Sequence, residues 1–113
     1  MKYLMLVCVD ESAELTPDDL ATIATTTEDW VTEMDGRGVR LEGSRLQPVG
    51  QARTVRIRGG EVSVSDGPFA ETREQVAGFD ILECKDLDEA VEVAARHSMA
   101  PYGTIEVRPF WQP

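Results

Sequence analysis

One stretch near the middle of the chain restricts the fold more than any other. Two segments that alternate apolar and polar residues, Thr54–Arg58 and Glu61–Ser65, flank the pair Gly59-Gly60. A two-residue glycine turn joins antiparallel strands, and the alternation gives the ribbon one apolar and one wet face. We therefore predict a hairpin with a buried apolar face. The predicted register pairs Ile57 with Val62 and Val55 with Val64 on that face, and Arg58 with Glu61 and Arg56 with Ser63 on the wet one.

The hairpin runs into the motif Asp66-Gly67-Pro68-Phe69, which is followed by residues 70–74. Glycine and proline give a turn a defined shape, and the aspartate adds one anionic group. Asp66 fits a general acid–base or an anchor for a cationic or hydroxylated ligand. It fits equally well a turn residue whose carboxylate bonds its own backbone. We predict a functional site at this motif and keep both roles of Asp66 open.

The first predicted strand is apolar on both of its faces. Residues 3–9 are apolar or nearly so in both alternating sets, whereas a strand covered on one face alternates with polar residues. We therefore expect something to pack on each side of this strand.

Two helices are predicted from their ends and their apolar stripes. The first begins at Thr16-Pro17, a hydroxyl cap followed by proline, and ends at Gly36 and Gly38. The second begins at a capping box, Asp86–Glu89, and ends before Pro101 and Gly103. The predicted stripes are Leu20, Ile23, Ala24, Thr27, Trp30, Val31 and Met34 in the first, and Leu87, Ala90, Val91, Ala94 and His97 in the second.

Three further strands complete the pattern, at residues 39–46, 77–84 and 104–108, with Gly43 marking an irregularity or a close approach. The order is strand–helix–strand, hairpin, strand–helix–strand. It predicts one α+β domain, residues 1–113, with a ferredoxin-like split βαβ fold and an inserted β-hairpin. Two helices cover only one sheet face, so we predict a homodimer that covers the other. Phe110 and Trp111 would also be costly to leave in water.

Charge, hydropathy and cysteine content restrict the partners, the location and the metal chemistry that we expect. Eleven basic against 21 acidic residues give a formal charge of −10, which disfavours nucleic-acid and anionic-membrane partners. The N-terminal apolar run is too short to span a membrane and no cleavage site follows it, so we expect a cytoplasmic protein. Cys8 and Cys84 lie in apolar strands without metal-ligand spacing, which predicts reduced core thiols. We expect no metal and no cofactor.

The whole chain resembles the DGPF branch of the YCII-related family. The matching segments are MKYLMLV at the start, Ser65–Thr72 with the central motif, Gly78-Phe79, Lys85–Ala90 and Ile105–Pro109. The resemblance implies a homodimeric α/β barrel. It also implies relatives that are small-molecule lyases, which eliminate halide with a His-Asp pair, and others associated with alternative sigma factors. The aspartate of that pair corresponds to Asp66.

The histidine of the pair has no counterpart. In the catalytic relatives it belongs to the first half of the chain, whereas the only histidine here is His97. His97 lies on the apolar stripe at the end of the predicted second helix, where the helix dipole favours the protonated form. We interpret it as a half-buried helix-end residue rather than a catalytic one. The halide-eliminating mechanism therefore does not transfer intact.

Four other residues are candidates for binding a ligand. Arg45 and Arg73 could grip a carboxylate, although solvated arginines or ion pairs explain them as well. Phe69 is interpreted as a plug packed into the barrel, or alternatively as a pocket wall. Tyr102 could supply a hydroxyl or be a plain turn residue.

Three functions remain open. The first is a cofactor-independent lyase or isomerase that moves a proton on a small carboxylated or hydroxylated molecule, with Asp66 as the acid–base. The second is a module that binds a small molecule or contacts a sigma factor, and the third is a dimeric scaffold without catalysis. Because no phosphate-binding glycine loop or nucleophile–base spacing is present, hydrolases and nucleotide-dependent enzymes are disfavoured.

Overall fold

Six strands and two helices follow one another in the predicted order in a computed structural model that describes residues 1–113. A short 3-10 turn, Val49–Gln51, precedes the third strand. The elements are β1 (Lys2–Val9), α1 (Pro17–Gly36), β2 (Arg40–Arg45), β3 (Arg53–Arg58), β4 (Glu61–Asp66), β5 (Gln75–Glu83), α2 (Leu87–Ala95) and β6 (Thr104–Pro109).

Four of the strands form one antiparallel sheet in the order β2-β5-β1-β6, and β3 pairs only with β4. The two central strands, β1 and β5, are thus the first and the fifth in sequence. This arrangement confirms the ferredoxin-like α+β fold with an inserted hairpin. The dimeric barrel stays a prediction.

The side chains of β1 alternate between buried and half-buried, which shows on which face of the sheet the core lies. Tyr3, Met5 and Val7 point to the helices and are buried, whereas Leu4 and Leu6 lie half-buried on the opposite face. The helix-side cluster is completed by Trp30, Met34, Val39, Leu82, Cys84, Ala90, Val93 and Ala94. Both cysteines are free, and burial raises the pKa of each thiol.

The predicted cap of α1 is confirmed. The Thr16 hydroxyl accepts a hydrogen bond from the Asp19 N–H, and the Asp19 carboxylate accepts one from the Thr16 N–H, each at 3.0 Å. Gly38 follows the helix with φ +72°, a conformation that glycine adopts without strain.

The capping box predicted for α2 is half right. The Asp86 carboxylate accepts from the Glu89 N–H at 2.9 Å, but the Glu89 carboxylate accepts from Lys85 instead of the cap residue. The predicted stripe is also shifted, because Val93 is buried beside Ala90 and Ala94. Leu87 and Val91 are 48% and 52% exposed.

The hairpin has the predicted register, with Val55 opposite Val64 and Ile57 opposite Val62. The prediction that this face is buried is wrong for the single chain. All four apolar side chains are more than 60% exposed, since nothing in the same chain packs on the ribbon. The molecule is accordingly flat, with principal extents of 48, 44 and 18 Å. Neither helix is both long and apolar enough to cross a membrane.

Candidate active site

The apolar stripe of α1 has two structural roles along its length. Its C-terminal half buries Trp30 and Met34 in the core, whereas Leu20 near the N-terminus is 54% exposed. Between the N-terminal half of α1 and the sheet lies a cavity of about 780 Å³. The helix side of its wall is formed by Leu20, Ile23, Ala24 and Thr27. The apolar residues that a sequence pattern assigns to core packing therefore also build a cavity wall.

Asp80 brings a buried carboxylate to this cavity. It lies on the helix face of β5, opposite Met5 of β1, and is 6% exposed. Burial raises its pKa, although the neighbouring Arg40 works in the opposite direction. Arg40 Nε donates a hydrogen bond to Asp80 Oδ1 at 2.8 Å.

The second carboxylate oxygen of Asp80 is the one available to a ligand. Oδ2 makes no hydrogen bond, and every fully enclosed side-chain nitrogen or oxygen in the protein has a partner. Oδ2 must therefore be open to the space beside it, and Asp80 lines the cavity. A buried carboxylate with one anchored and one free oxygen is suited to accept a proton.

Two neighbours on β2 hold the carboxylate in place. Arg40 NH1 also donates to Asp35 at 3.2 Å, so its guanidinium bridges two acids and its pKa is raised despite burial. Gly43 lies directly opposite Asp80, and a Cβ at this position would overlap the Asp80 carboxylate. The close approach predicted at Gly43 is thus made by an acidic side chain.

His97 lies in the cavity wall in a neutral form. It is 8% exposed, its ring edge packs on Trp30 with the centroids 4.7 Å apart, and burial lowers its pKa. The expectation of a half-buried, protonated histidine is wrong. The helix ends at Ala95, so His97 lies in the turn beyond it, where desolvation determines the pKa.

The hydrogen bond of His97 fixes the tautomer. Nδ1 accepts from the backbone N–H of Met99 at 3.0 Å, so the proton of the neutral ring is on Nε2. Nε2 has no partner in the protein and is not enclosed. His97 can therefore donate a hydrogen bond into the cavity, and in this state it is not a base.

Two of the predicted binding residues line the same cavity and a third lies beside it. Arg45 and Tyr102 are in the wall together with His97. Arg73 is 91% exposed, with its Nε 3.4 Å from the carboxylate of Asp10, which does line the cavity. The pKa of Asp10 is lowered, chiefly by hydrogen bonds from Ser12 and then by Arg73.

Asp66 and Phe69 lie away from this cavity. The Asp66 side chain is 89% exposed and pairs with Arg53 Nε at 3.1 Å. Gly67, with φ +85°, is held by hydrogen bonds to Ala52 and Thr54, so those residues and not the Asp66 carboxylate fix the turn. Phe69 is 79% exposed and does not plug the barrel within one chain. A catalytic role for Asp66 stays a prediction.

Sequence reasoning missed Asp80 and Arg40, although a signal for Asp80 existed. Asp80 is the one charged residue between Gly78 and Leu82, and it shares the parity of the buried Leu82. A charge on the core side of a central strand requires a partner or a function. No three His, Cys, Asp or Glu side chains are grouped so that they could hold a metal ion.

Known protein families and sequences include relatives of this chain. The profile of the YCII-related domain matches residues 1–112. The chain belongs to the YCII-related family. A similar protein, uncharacterized, comes from Rhizobium meliloti (strain 1021) and is 48% identical over 68 residues. That match spans 58% of this chain and 55% of the relative, so the chain spans about half of the relative's length.

A solved structure of a YCII-like enzyme has the same fold. It is 5-chloro-2-hydroxyhydroquinone dehydrochlorinase (TftG) from Burkholderia phenoliruptrix AC1100, in complex with 2,5-dihydroxybenzoquinone. The match covers 100% of this chain and 96% of the enzyme, with a TM-score of 0.53 and 12% sequence identity. At this identity the similarity establishes the fold alone.

Proposed function

We propose that this YCII-related protein catalyses a cofactor-independent proton transfer, of lyase or isomerase type, on a small hydroxylated or carboxylated molecule. The observation that carries the proposal is the cavity between α1 and the sheet, whose wall contains both Asp80, with one carboxylate oxygen free of hydrogen bonds, and His97, whose Nδ1 accepts from Met99. Its volume of about 780 Å³ is typical of small-molecule sites. Mostly apolar walls with a few polar groups are also typical of such sites.

The two residues have complementary roles in this proposal. Asp80 Oδ2 accepts a proton from a C–H or O–H group of the substrate, and the raised pKa makes it a stronger base than an exposed carboxylate. When a C–H bond breaks, its electron pair forms a C=C bond and the π pair of the adjacent C=O moves onto that oxygen; Asp80 later returns the proton to the same carbon or to another one. His97 Nε2–H donates a hydrogen bond to that oxygen and stabilises its growing negative charge. Arg40 keeps the Asp80 carboxylate in one orientation throughout.

The cavity wall and the fold relative together suggest a class of substrate. Arg45 and Tyr102 add a cation and a hydroxyl to the wall, which suits a molecule with several oxygens. The ligand named for the dehydrochlorinase, 2,5-dihydroxybenzoquinone, is a flat ring that carries such oxygens. Hydroxylated six-membered rings, with and without a carboxylate, are therefore the first compounds to test.

The experiment compares two aspartates in one assay. Binding of a panel of hydroxylated and carboxylated rings is measured by ligand-observed NMR, and proton transfer by exchange of ligand C–H for deuterium in D₂O. We expect Asp80→Asn to slow exchange about 10²- to 10⁴-fold, the loss typical of a missing general base, with binding within about tenfold of wild type. Asp66→Asn, which changes an exposed carboxylate in the same way, serves as the matched control and should exchange normally.

The outcomes separate the candidate functions. Loss of exchange in Asp66→Asn with normal exchange in Asp80→Asn would return the catalytic role to the central motif. If wild-type protein binds a ring compound but exchanges no hydrogen, the ligand-binding module becomes the better explanation and catalysis is ruled out for that ligand. Melting curves of both variants show whether either substitution acts through unfolding.

A further inference from the structure

The hairpin arm, residues 53–66, has an apolar face that nothing in its own chain covers. Val55, Ile57, Val62 and Val64 lie side by side on this face and are 61%, 62%, 66% and 62% exposed. A two-stranded ribbon is at best marginally stable alone in water. A contiguous apolar patch of this kind usually marks an interface. The arm therefore needs an apolar partner surface.

A matching surface exists elsewhere on the same molecule. The α2–β6 groove lies between α2 and the edge strand β6, and all seven residues that line it are apolar. These are Leu87, Val91, Ala94, Ala95, Ala100, Ile105 and Val107. Leu87 and Val91 are each about half exposed, so the groove is as incompletely covered as the arm.

The charges around the two surfaces are opposite. The arm carries Arg53, Arg56 and Arg58 against Glu61 and Asp66, a net charge of +1 in a chain of −10. The segment 85–92, which forms the start of α2 beside the groove, carries one lysine against four acids. A basic arm and an acidic groove rim attract each other, which favours this contact between two copies of a chain whose net charge of −10 otherwise opposes association.

We propose that the arm of one protomer docks in the α2–β6 groove of a second copy of this chain. One chain cannot make this contact by itself, because the arm follows β2 and the groove flanks β6, at opposite edges of the sheet. In a two-fold dimer the exchange is reciprocal, so each copy covers the other's groove.

The same dimer can also cover the open sheet face, which is the face of the four-stranded sheet opposite the two helices. If two sheets stack by their open faces about a two-fold axis parallel to the strands, the β2 edge of one lies over the β6 edge of the other. The same dimer would then cover the open-face residues of β1, Leu4 and Leu6. A six-residue strand reaches roughly 20 Å, far enough to pass one sheet layer of about 10 Å.

A cysteine pair tests the contact directly. In full-length protein with Cys8→Ala, the variant that combines Ile57→Cys with Val91→Cys should form a disulfide-linked dimer under mild oxidation, while each single variant should not. The alternative occupant for the arm is the partner's open sheet face, probed by Ile57→Cys with Leu6→Cys. Linkage through Leu6→Cys but not Val91→Cys, or a monomer in sedimentation experiments at micromolar concentration, overturns the proposal.

Two neighbouring substitutions on β4 test the energetics. Val62→Asp places a charge on the apolar face of the arm, and Ser63→Asp places the same charge on the opposite face. Because both positions are exposed in the single chain, neither substitution should unfold it. We expect the dimer dissociation constant to rise about tenfold or more for Val62→Asp. Equal dissociation constants for the two variants would contradict the proposal.

Discussion

Asp80 and His97 are buried titratable residues, and burial shifts the pKa of each in the direction that favours its uncharged form. Burial raises the pKa of Asp80 and lowers that of His97. The two residues differ in the partner that the protein provides for the buried group. Asp80 has the Arg40 guanidinium, whereas His97 has only the Met99 N–H, which is a partner for the neutral ring. The Arg40 guanidinium therefore favours the charged carboxylate of Asp80, whereas the Met99 N–H favours the uncharged imidazole of His97.

Burial of neutral His97 should make the protein less stable in mild acid. The pKa of His97 is lower in the folded state, so below about pH 6.5 the unfolded chain binds a proton that the folded chain does not. The contribution of His97 is complete above that pH and is lost as the pH falls. Between pH 6.5 and 5.5 this costs up to about 1 kcal/mol of unfolding free energy, because the unfolded histidine is already half protonated at the upper limit. Urea denaturation at both pH values measures it.

His97→Gln is the control, because its side-chain oxygen can accept the Met99 N–H without titrating. Carboxylates titrate in both proteins, so the difference between the two slopes isolates the histidine. Equal slopes for wild type and variant would show that His97 is protonated in the folded protein.

At the scale of elements, α1 combines a packed half and a half that walls a cavity. Its first turn has no core contacts of its own, since the buried residues of the helix are Trp30 and Met34 near the other end. The cap at Thr16 therefore carries much of the stability of the cavity side. Loss of the cap should fray the part of the helix that contains Leu20 and Ile23.

Thr16→Ala should lower the unfolding free energy by about 1 kcal/mol, the usual cost of a lost N-cap. Hydrogen exchange should rise first in the amides near the start of α1. Thr26→Ala removes another exposed threonine of the same helix whose hydroxyl bonds a backbone carbonyl, and it should cost nothing. The same destabilisation by both variants would mean that the cap has no special role.

At the scale of the whole molecule, Trp30 joins the two βαβ halves. Its indole Nε1 donates to the carbonyl oxygen of Val93 in α2 at 3.0 Å, and its ring packs against His97. Few other side chains connect α1 to α2 in the core, because only Trp30 and Met34 of α1 are buried. Exposed apolar side chains remain on the hairpin arm and in the α2–β6 groove, and Leu4 and Leu6 lie half-buried on the open sheet face.

Trp30→Phe should destabilise the protein by about 2 kcal/mol, since it leaves a cavity and removes the bond to Val93. The domain should still melt in one transition, at a lower Tm, when followed by far-UV circular dichroism. Trp111→Phe is the matched control, because Trp111 is 84% exposed. A Tm for Trp30→Phe as high as that of Trp111→Phe would show that the two halves are held together elsewhere.

The sequence by itself determined the local structure, because local patterns have local causes. The register of the hairpin follows from a period of two and a two-glycine turn, and the start of α1 follows from Thr16 and Pro17. The doubly apolar β1 predicted cover on both faces, and the helix-side residues of this strand are buried. The order of elements was sufficient to predict the ferredoxin-like fold.

Only the tertiary structure decided which residues form the cavity. Asp80, Arg40 and Gly43 are brought together by pairing between β2 and β5, two strands separated by the whole hairpin. His97 lines the same cavity because the turn after α2 places its ring against Trp30. Burial also reversed the pKa direction expected for His97, since desolvation depends on packing that no sequence period contains.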